Sequence, residues 1–125
     1  MMKDGMIGND WNEQERRRYE RYSVTFYLSV YDQQTNVLLG QIIDISRGGM
    51  RLISQEPIPA GKHFHLVLDV SLESGKQQKV LLEARSIWSQ EDDNPDLFAT
   101  GFQFIDLSQE AVLCIQEIIA ELQGR

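Results

Sequence analysis

Residues 97–124 read LFATGFQFIDLSQEAVLCIQEIIAELQG, and the hydrophobic pattern changes its period within this stretch. The first ten residues, LFATGFQFID, have the pattern of a β-strand. After Ser108 the apolar residues recur at helical spacing, at Ala111, Ile115, Ile118, Ile119 and Leu122. Ser108 is suited to cap the helix N-terminus, and Gly124 ends the pattern. The stretch therefore predicts a strand followed by an amphipathic helix.

On the N-terminal side of this stretch, five more segments have strand patterns, at residues 23–31, 37–46, 50–54, 64–72 and 78–90. Short polar or glycine-containing connections such as ESGK separate several of them and are typical of antiparallel hairpins. Six strands and one closing helix predict a mainly β fold, a six-stranded antiparallel β-barrel with the C-terminal α-helix packed on it. We expect residues 1–14 to form a flexible tail and residues 15–125 to form the domain.

The acidic charge lies at one end of the chain. The formal net charge is -7, yet residues 1–89 contain equal numbers of basic and acidic side chains, so the whole excess falls in residues 90–125. Such a region repels the dense phosphate charge of a nucleic acid polymer, which we do not expect as a partner. A small anion bound more than about 10 Å from this acidic region would be repelled only weakly, because salt screens charges beyond that distance.

The compartment is predicted from what the sequence contains. No stretch approaches the roughly 20 apolar residues of a membrane-spanning helix, and the N-terminus is polar and unlike a signal peptide. The single cysteine, Cys114, excludes an internal disulfide and fits a reducing compartment. We therefore expect a cytoplasmic protein without membrane insertion.

Four arginines stand close together in RRRYER, residues 16–21, just before the first predicted strand. One interpretation is a solvated run that pairs with nearby glutamates. The other is an anion clamp, because guanidinium is planar, permanently charged and binds phosphate through paired hydrogen bonds. Arginine also matches the O6 and N7 acceptors of guanine. The cluster alone does not decide between the two.

The segment DISRGG, residues 44–49, ends the second predicted strand. If Ile43 and Ile45 face the core, Asp44 and Ser46 face outward, because side chains alternate along a strand. The glycines would allow positive φ and leave backbone N–H groups open to a ligand. An ordinary hairpin with polar residues on its wet side is the alternative.

Taken together, these two motifs resemble a known family. Arg17 to Arg21 form an RxxxR, Asp44 to Gly49 form a DxSxxG, and their order along a six-strand pattern is similar to that of the PilZ domain. That family consists of bacterial receptors for the second messenger cyclic di-GMP. The likeness covers about residues 15–122 and implies a PilZ-type barrel.

The resemblance also implies a ligand site. Arg17 and Arg21 would contact guanine and phosphate, and Gly49 would leave room for the ligand. A further arginine directly before RxxxR, here Arg16, implies two mutually intercalated ligand molecules. Trp88 either stacks on a guanine or packs in the core or at the rim of the barrel. The predicted ligand-binding residues are Arg16, Arg17, Arg18, Arg21, Asp44, Ser46, Gly48, Gly49 and Trp88.

No residue pattern predicts catalysis. His63 and His65 form an HxH that can hold zinc, but no third ligand is evident in the sequence near them, and a solvated strand face explains them. Cys114 falls in an apolar helix and reads as a small buried hydrophobe. A hydrolase of cyclic dinucleotides would need metal ligands that the sequence does not provide. We therefore expect no enzyme activity, no metal and no cofactor.

The position of the arginines suggests a switch. In this hypothesis the ligand neutralises the arginines and clamps the N-terminal segment onto the barrel edge. A downstream protein, which no residue identifies, would respond to the altered surface. By resemblance, motility, biofilm formation or secretion would be controlled. The alternative is a ligand-independent PilZ-like interaction protein in pilus or flagellar assembly.

Overall fold

A computed structural model describes residues 19–26 and 28–124. The elements in chain order are β1 (Tyr22–Ser23), β2 (Leu28–Asp32), β3 (Leu38–Ile45), β4 (Gly49–Ser54), β5 (His63–Ser71), β6 (Gln77–Glu91), β7 (Phe98–Ile105) and α1 (Gln109–Gln123). The predicted flexible tail, residues 1–14, and Arg16, Arg17 and Arg18 of the predicted ligand site lie outside the described residues.

The strands close into a barrel. Neighbouring strands follow the order β1-β3-β2-β5-β6-β7-β4, and an additional pairing of β3 with β4 joins the two sides. Every pairing is antiparallel. The predicted six-stranded antiparallel barrel with one C-terminal helix is confirmed, with β1 as one extra strand.

The first predicted strand, residues 23–31, is divided in two. β1 pairs with the end of β3 through Tyr22 and Ile45, whereas β2 pairs with the beginning of β3 and also with β5. Val24 and Phe26 lie between the two strands and pack partly buried against the core. Hydrophobic alternation continues through the break, so the sequence pattern gives no sign of it.

Alternating side chains fill the barrel interior. On β5 the even-numbered residues from Phe64 to Val70 are buried, while His63 and His65 are exposed on the outer face. Among the described residues, the largest fully buried side chain is that of Phe102 in β7, whose ring meets that of Phe64 edge-on at 5.6 Å between centroids.

The helix packs as the sequence predicts. Ser108 accepts a hydrogen bond from the Ala111 backbone N–H at 3.1 Å and so caps the N-terminus. All the apolar residues predicted for its inner face are buried, and so is Cys114. Burial raises the pKa of the Cys114 thiol, although a hydrogen bond from the Gln78 side chain opposes the shift. The lowered thiolate fraction fits the structural role predicted for Cys114.

The strand pairings contain three register shifts: one lies between β2 and β3 near Val30, and the other two change which side chains face outward at the site. On β3 the register slips between Ile42 and Asp44, and on β6 it slips between Ser86 and Trp88. The prediction that Ile43 and Ile45 both face the core is therefore wrong, because Ile42 and Ile45 are the buried pair and Ile43 occupies the bulge. A bulge places two residues of one strand opposite one residue of the next and thus resets the alternation.

Within residues 19–26 and 28–124, no helix has the length and apolar character needed to cross a lipid bilayer.

Candidate functional site

Asp44 lies at the centre of a group of charged side chains on the outer face of the barrel. Arg21 donates to Asp44 Oδ1 from Nη2 at 2.8 Å and from Nε at 3.2 Å. Arg51 Nη2 lies 2.7 Å from the other carboxylate oxygen, Oδ2. The side chain of Asp44 is 10% exposed, against 22% for Arg21 and 44% for Arg51. The carboxylate therefore orients two guanidinium groups, and Arg51 keeps much of its surface open to solvent.

Strand register extends this group across the barrel. Asp44 pairs with Arg51 of β4, Arg51 pairs with Gly101 of β7, and Gly101 pairs with Trp88 of β6. Directly opposed residues of antiparallel strands place their side chains on the same face. Neighbouring strands lie about 4.8 Å apart, so the row runs roughly 14 Å from Asp44 to Trp88. We call Arg21, Asp44, Arg51, Gly101 and Trp88 the outer-face row.

Trp88 lies on this outer face and not in the core. A Cβ atom added to Gly101 would meet Trp88 Cζ2 at 2.9 Å and other indole atoms closer still, so the ring lies directly over the glycine. The side chain is only partly buried. Of the sequence interpretations, packing in the barrel core is wrong, while rim packing and stacking on a ligand both fit this position.

The side chain of Ser46 points into the protein and not toward solvent. It is fully buried, and its Oγ accepts hydrogen bonds from the backbone N–H groups of Gly48 and Gly49, each at 3.1 Å. The prediction of an outward, exposed Ser46 is wrong, because its hydroxyl closes the turn between β3 and β4. The two glycine N–H groups predicted to be open to a ligand are occupied by the same hydroxyl. Asp44 does lie on the outer face, but its arginine partners cover it.

The glycines of this motif have a different role from the one predicted. Among the described glycines, positive φ occurs at Gly61 (77°) and Gly75 (96°), so the positive φ predicted for the Gly48–Gly49 turn is wrong. A Cβ atom on Gly49 would instead fall against the backbone carbonyl oxygen of Phe102. Gly49 therefore allows β4 to approach β7 closely, which holds the turn in place.

We expect Gly49→Ala to lower the free energy of unfolding by about 1–3 kcal/mol, the usual cost of overpacking. The cost arises because the methyl group meets backbone atoms that cannot rotate away. Urea unfolding without any ligand measures it. The matched control is Gly124→Ala, where φ is -71° and the nearest atom would be at 3.5 Å. Equal stability of the two variants would contradict the packing role.

The sequence did not indicate a role for two further arginines, Arg51 of the outer-face row and Arg47 of the turn beside Asp44. Arg51 belongs to the row because it pairs with Asp44 across two strands. No sequence motif or spacing predicts that contact. Arg47 is exposed in the turn of the DxSxxG motif. It lines a polar depression together with side chains from the first described residues and the helix, namely Tyr19, Glu20, Tyr22, Gln116 and Gln123. Arg47 lies between the aspartate and the glycines of the DxSxxG motif, and this position could have identified it from the sequence.

Comparisons with known proteins agree with this fold. The sequence profile of one family, described as the PilZ domain, matches residues 15–121. A comparison with curated protein sequences gave no match. Among solved structures, the PilZ domain of YcgR from Escherichia coli with c-di-GMP has a TM-score of 0.64 and 24% identity, over 87% of this chain and 92% of that one.

Two longer proteins are also similar. The Bacillus subtilis inhibitor of motility, MotI/DgrA, has a TM-score of 0.70 and 17% identity over 88% of this chain. The K. pneumonia MrkH–c-di-GMP complex has a TM-score of 0.67 and 18% identity over 87% of this chain. The present chain covers 52% and 53% of these two proteins, about half the length of each. At these identities the likeness establishes the fold.

Proposed function

Because the chain belongs to the PilZ domain family, we propose that it is a receptor for cyclic di-GMP that acts as an adaptor for another protein. The observation that carries the proposal is Asp44, which orients Arg21 and Arg51 at one end of a row that ends in the Trp88 indole. YcgR and MrkH, which have the same fold, are described with c-di-GMP.

The chemistry of the outer-face row suits a ligand that contains both guanine and phosphate. The exposed part of Arg51 offers N–H donors to phosphate oxygens or to the O6 and N7 atoms of guanine. Trp88 offers an aromatic surface on which a purine can stack. Asp44 holds the guanidinium groups in place and retains lone pairs for the N–H donors of guanine. In this proposal Ser46, Gly48 and Gly49 act indirectly, by fixing the turn beside Asp44.

The proposal includes the arginines outside the described residues. Arg16, Arg17 and Arg18 would supply the rest of the phosphate contacts and clamp the N-terminal segment onto the barrel beside Arg21. Arg21 already donates a hydrogen bond to Asp44. This contact would anchor the C-terminal end of the N-terminal segment to the barrel before the ligand binds. Ordering each residue costs about 1–2 kcal/mol of backbone entropy, which charge-assisted hydrogen bonds of about 1.5–3 kcal/mol each can offset. Slower amide exchange in residues 10–22 with saturating ligand is the expected sign of the clamp.

The proposed bound form is an intercalated ligand dimer, with Arg16 contacting the second molecule. Isothermal titration of the full chain with cyclic di-GMP tests both function and stoichiometry. We expect saturation near two ligands per chain, no comparable binding of GTP, and loss of binding in Arg21→Ala. Saturation at one ligand per chain would contradict the ligand dimer but would leave the receptor function standing. Absence of binding by the wild-type protein would contradict the receptor.

We expect Trp88→Ala to weaken cyclic di-GMP binding by about 1–3 kcal/mol, the typical contribution of one base–aromatic stack. Because Trp88 is partly buried on the outer face, the change removes aromatic surface and leaves the core intact. Titration against wild type measures the effect, and Trp88→Phe, which keeps an aromatic ring, is the matched control. Unchanged affinity in Trp88→Ala would leave the residue as rim packing only.

A second candidate function is the ligand-independent interaction protein. One observation favours it: Val37 and Leu38 are 56% and 47% exposed and lie beside a largely apolar groove. A protein partner could cover these side chains without any nucleotide. Absence of cyclic di-GMP binding, together with binding of a partner that Leu38→Glu abolishes, would favour this function over the receptor.

A further inference from the structure

The chain contains two histidines, and both lie on the outer face of β5. The rings of His63 and His65 stack, with 5.1 Å between centroids and 15° between planes. From the adjacent strand, Glu83 pairs in register with His65, and its Oε1 lies 2.8 Å from His63 Nε2. Sequence reasoning found no third ligand for the HxH pair, and the pairing of β5 with β6 brings one to it.

We propose that His63, His65 and Glu83 bind a divalent transition-metal ion. One side-chain ligand atom from each residue lies within 4.8 Å of the others. Tetrahedral zinc with bonds of about 2.0–2.2 Å needs ligand atoms roughly 3.3–3.6 Å apart. The difference between these two ligand-atom distances is small. The side chains of His63 and Glu83 are about 40% exposed. They can therefore bring the ligand atoms closer by rotation about their χ angles while the strands stay fixed.

The donor set selects the class of ion. Two imidazole nitrogens and one carboxylate oxygen suit zinc, copper or nickel, whereas magnesium and calcium prefer oxygen ligands alone. Three protein ligands leave a coordination position open toward solvent, where water or a group from another molecule can bind. Arg85 is a positively charged side chain on the neighbouring strand that would repel a metal ion. It pairs with His63 in register, and its Nη1 donates to the Gly61 carbonyl oxygen at 3.4 Å.

This site is separate from the proposed nucleotide site. Glu83 and Trp88 are five positions apart on β6, which corresponds to roughly 17 Å along a strand. None of the three proposed metal ligands belongs to the outer-face row. The metal proposal therefore does not depend on cyclic di-GMP binding, and each can fail without the other.

Titration of the untagged full chain with Zn²⁺ tests the proposal. We expect one ion per chain and an affinity at least about tenfold weaker in Glu83→Gln and in His65→Ala, since even changes outside the ligand shell cost about 10–100-fold. The matched control is Glu91→Gln, the same substitution at an exposed position of β6, which should bind as wild type does.

Imidazole NMR signals supply a second readout, because the two histidines are the only ones in the chain. Both sets of signals should shift together at one equivalent of Zn²⁺. The proposal is overturned by absence of saturable binding, by wild-type affinity in Glu83→Gln, or by lost affinity in Glu91→Gln, which would place the ion at the acidic stretch EDDNPD, residues 91–96. Thermal unfolding of each variant checks that the exposed substitutions leave the fold intact.

Discussion

Replacing Asp44 by alanine should lower the affinity for cyclic di-GMP about 100-fold, or about 2.8 kcal/mol. The carboxylate bonds to Arg21 through one oxygen and to Arg51 through the other. Truncating one member of a largely buried charge pair costs about 2–5 kcal/mol in a binding interface. Without Asp44, both guanidinium groups lose the partner that holds them in the outer-face row.

The titration is made sharper by two further variants. Asp44→Asn keeps the size of the side chain and one acceptor oxygen but loses the charge, so we expect a smaller loss, about tenfold, because charge-assisted bonds are about twice as strong as neutral ones. Asp69→Ala removes a carboxylate from β5, outside the row, and should bind as wild type does. If Asp44→Ala binds as tightly as Asp69→Ala, the orienting role of Asp44 is wrong.

Replacing Phe102 by alanine should lower the free energy of unfolding by about 3–5 kcal/mol. Phe102 is 0% exposed and its ring packs edge-on against Phe64, so its removal would leave a cavity in the core. Whole domains are stable by only about 5–15 kcal/mol. The variant should therefore lose a large fraction of its stability.

Urea unfolding measures this change, and the next residue of the same strand gives the control. Gln103 is exposed on the opposite face of β7, so Gln103→Ala should change stability by no more than about 0.5 kcal/mol. The contrast between adjacent residues tests the inward and outward assignment of the strand directly. Similar losses in the two variants would refute that assignment.

Features that depend on local sequence were predicted well. The helical spacing after Ser108 predicted the helix, and the Ser108 cap and the buried helical face are confirmed. The ESGK hairpin is also confirmed, with positive φ at Gly75. Each of these depends on residues within a few positions of one another, where side-chain periodicity and backbone preference act directly.

Errors of prediction occurred where the strand geometry is irregular. The bulge at Ile43 changed which isoleucines are buried, and the buried hydroxyl of Ser46 occupied the N–H groups expected to meet a ligand. The role of Gly49 also differed, since it is set by the Phe102 carbonyl on a strand far away in the chain. The nucleotide contacts themselves stay predictions.

Local patterns were enough to predict the six strands, the closing helix and the family, because alternation, helical spacing and the ordered RxxxR and DxSxxG motifs can all be read along the chain. Contacts between side chains of different strands could not be predicted in this way, because they depend on how the barrel closes. The tertiary structure brought Arg51 to Asp44, Trp88 to Gly101 and Glu83 to the two histidines. The physical reason is that cross-strand register is fixed by closure of the barrel and by its bulges, and a shift of one residue would turn every side chain of a strand to the other face.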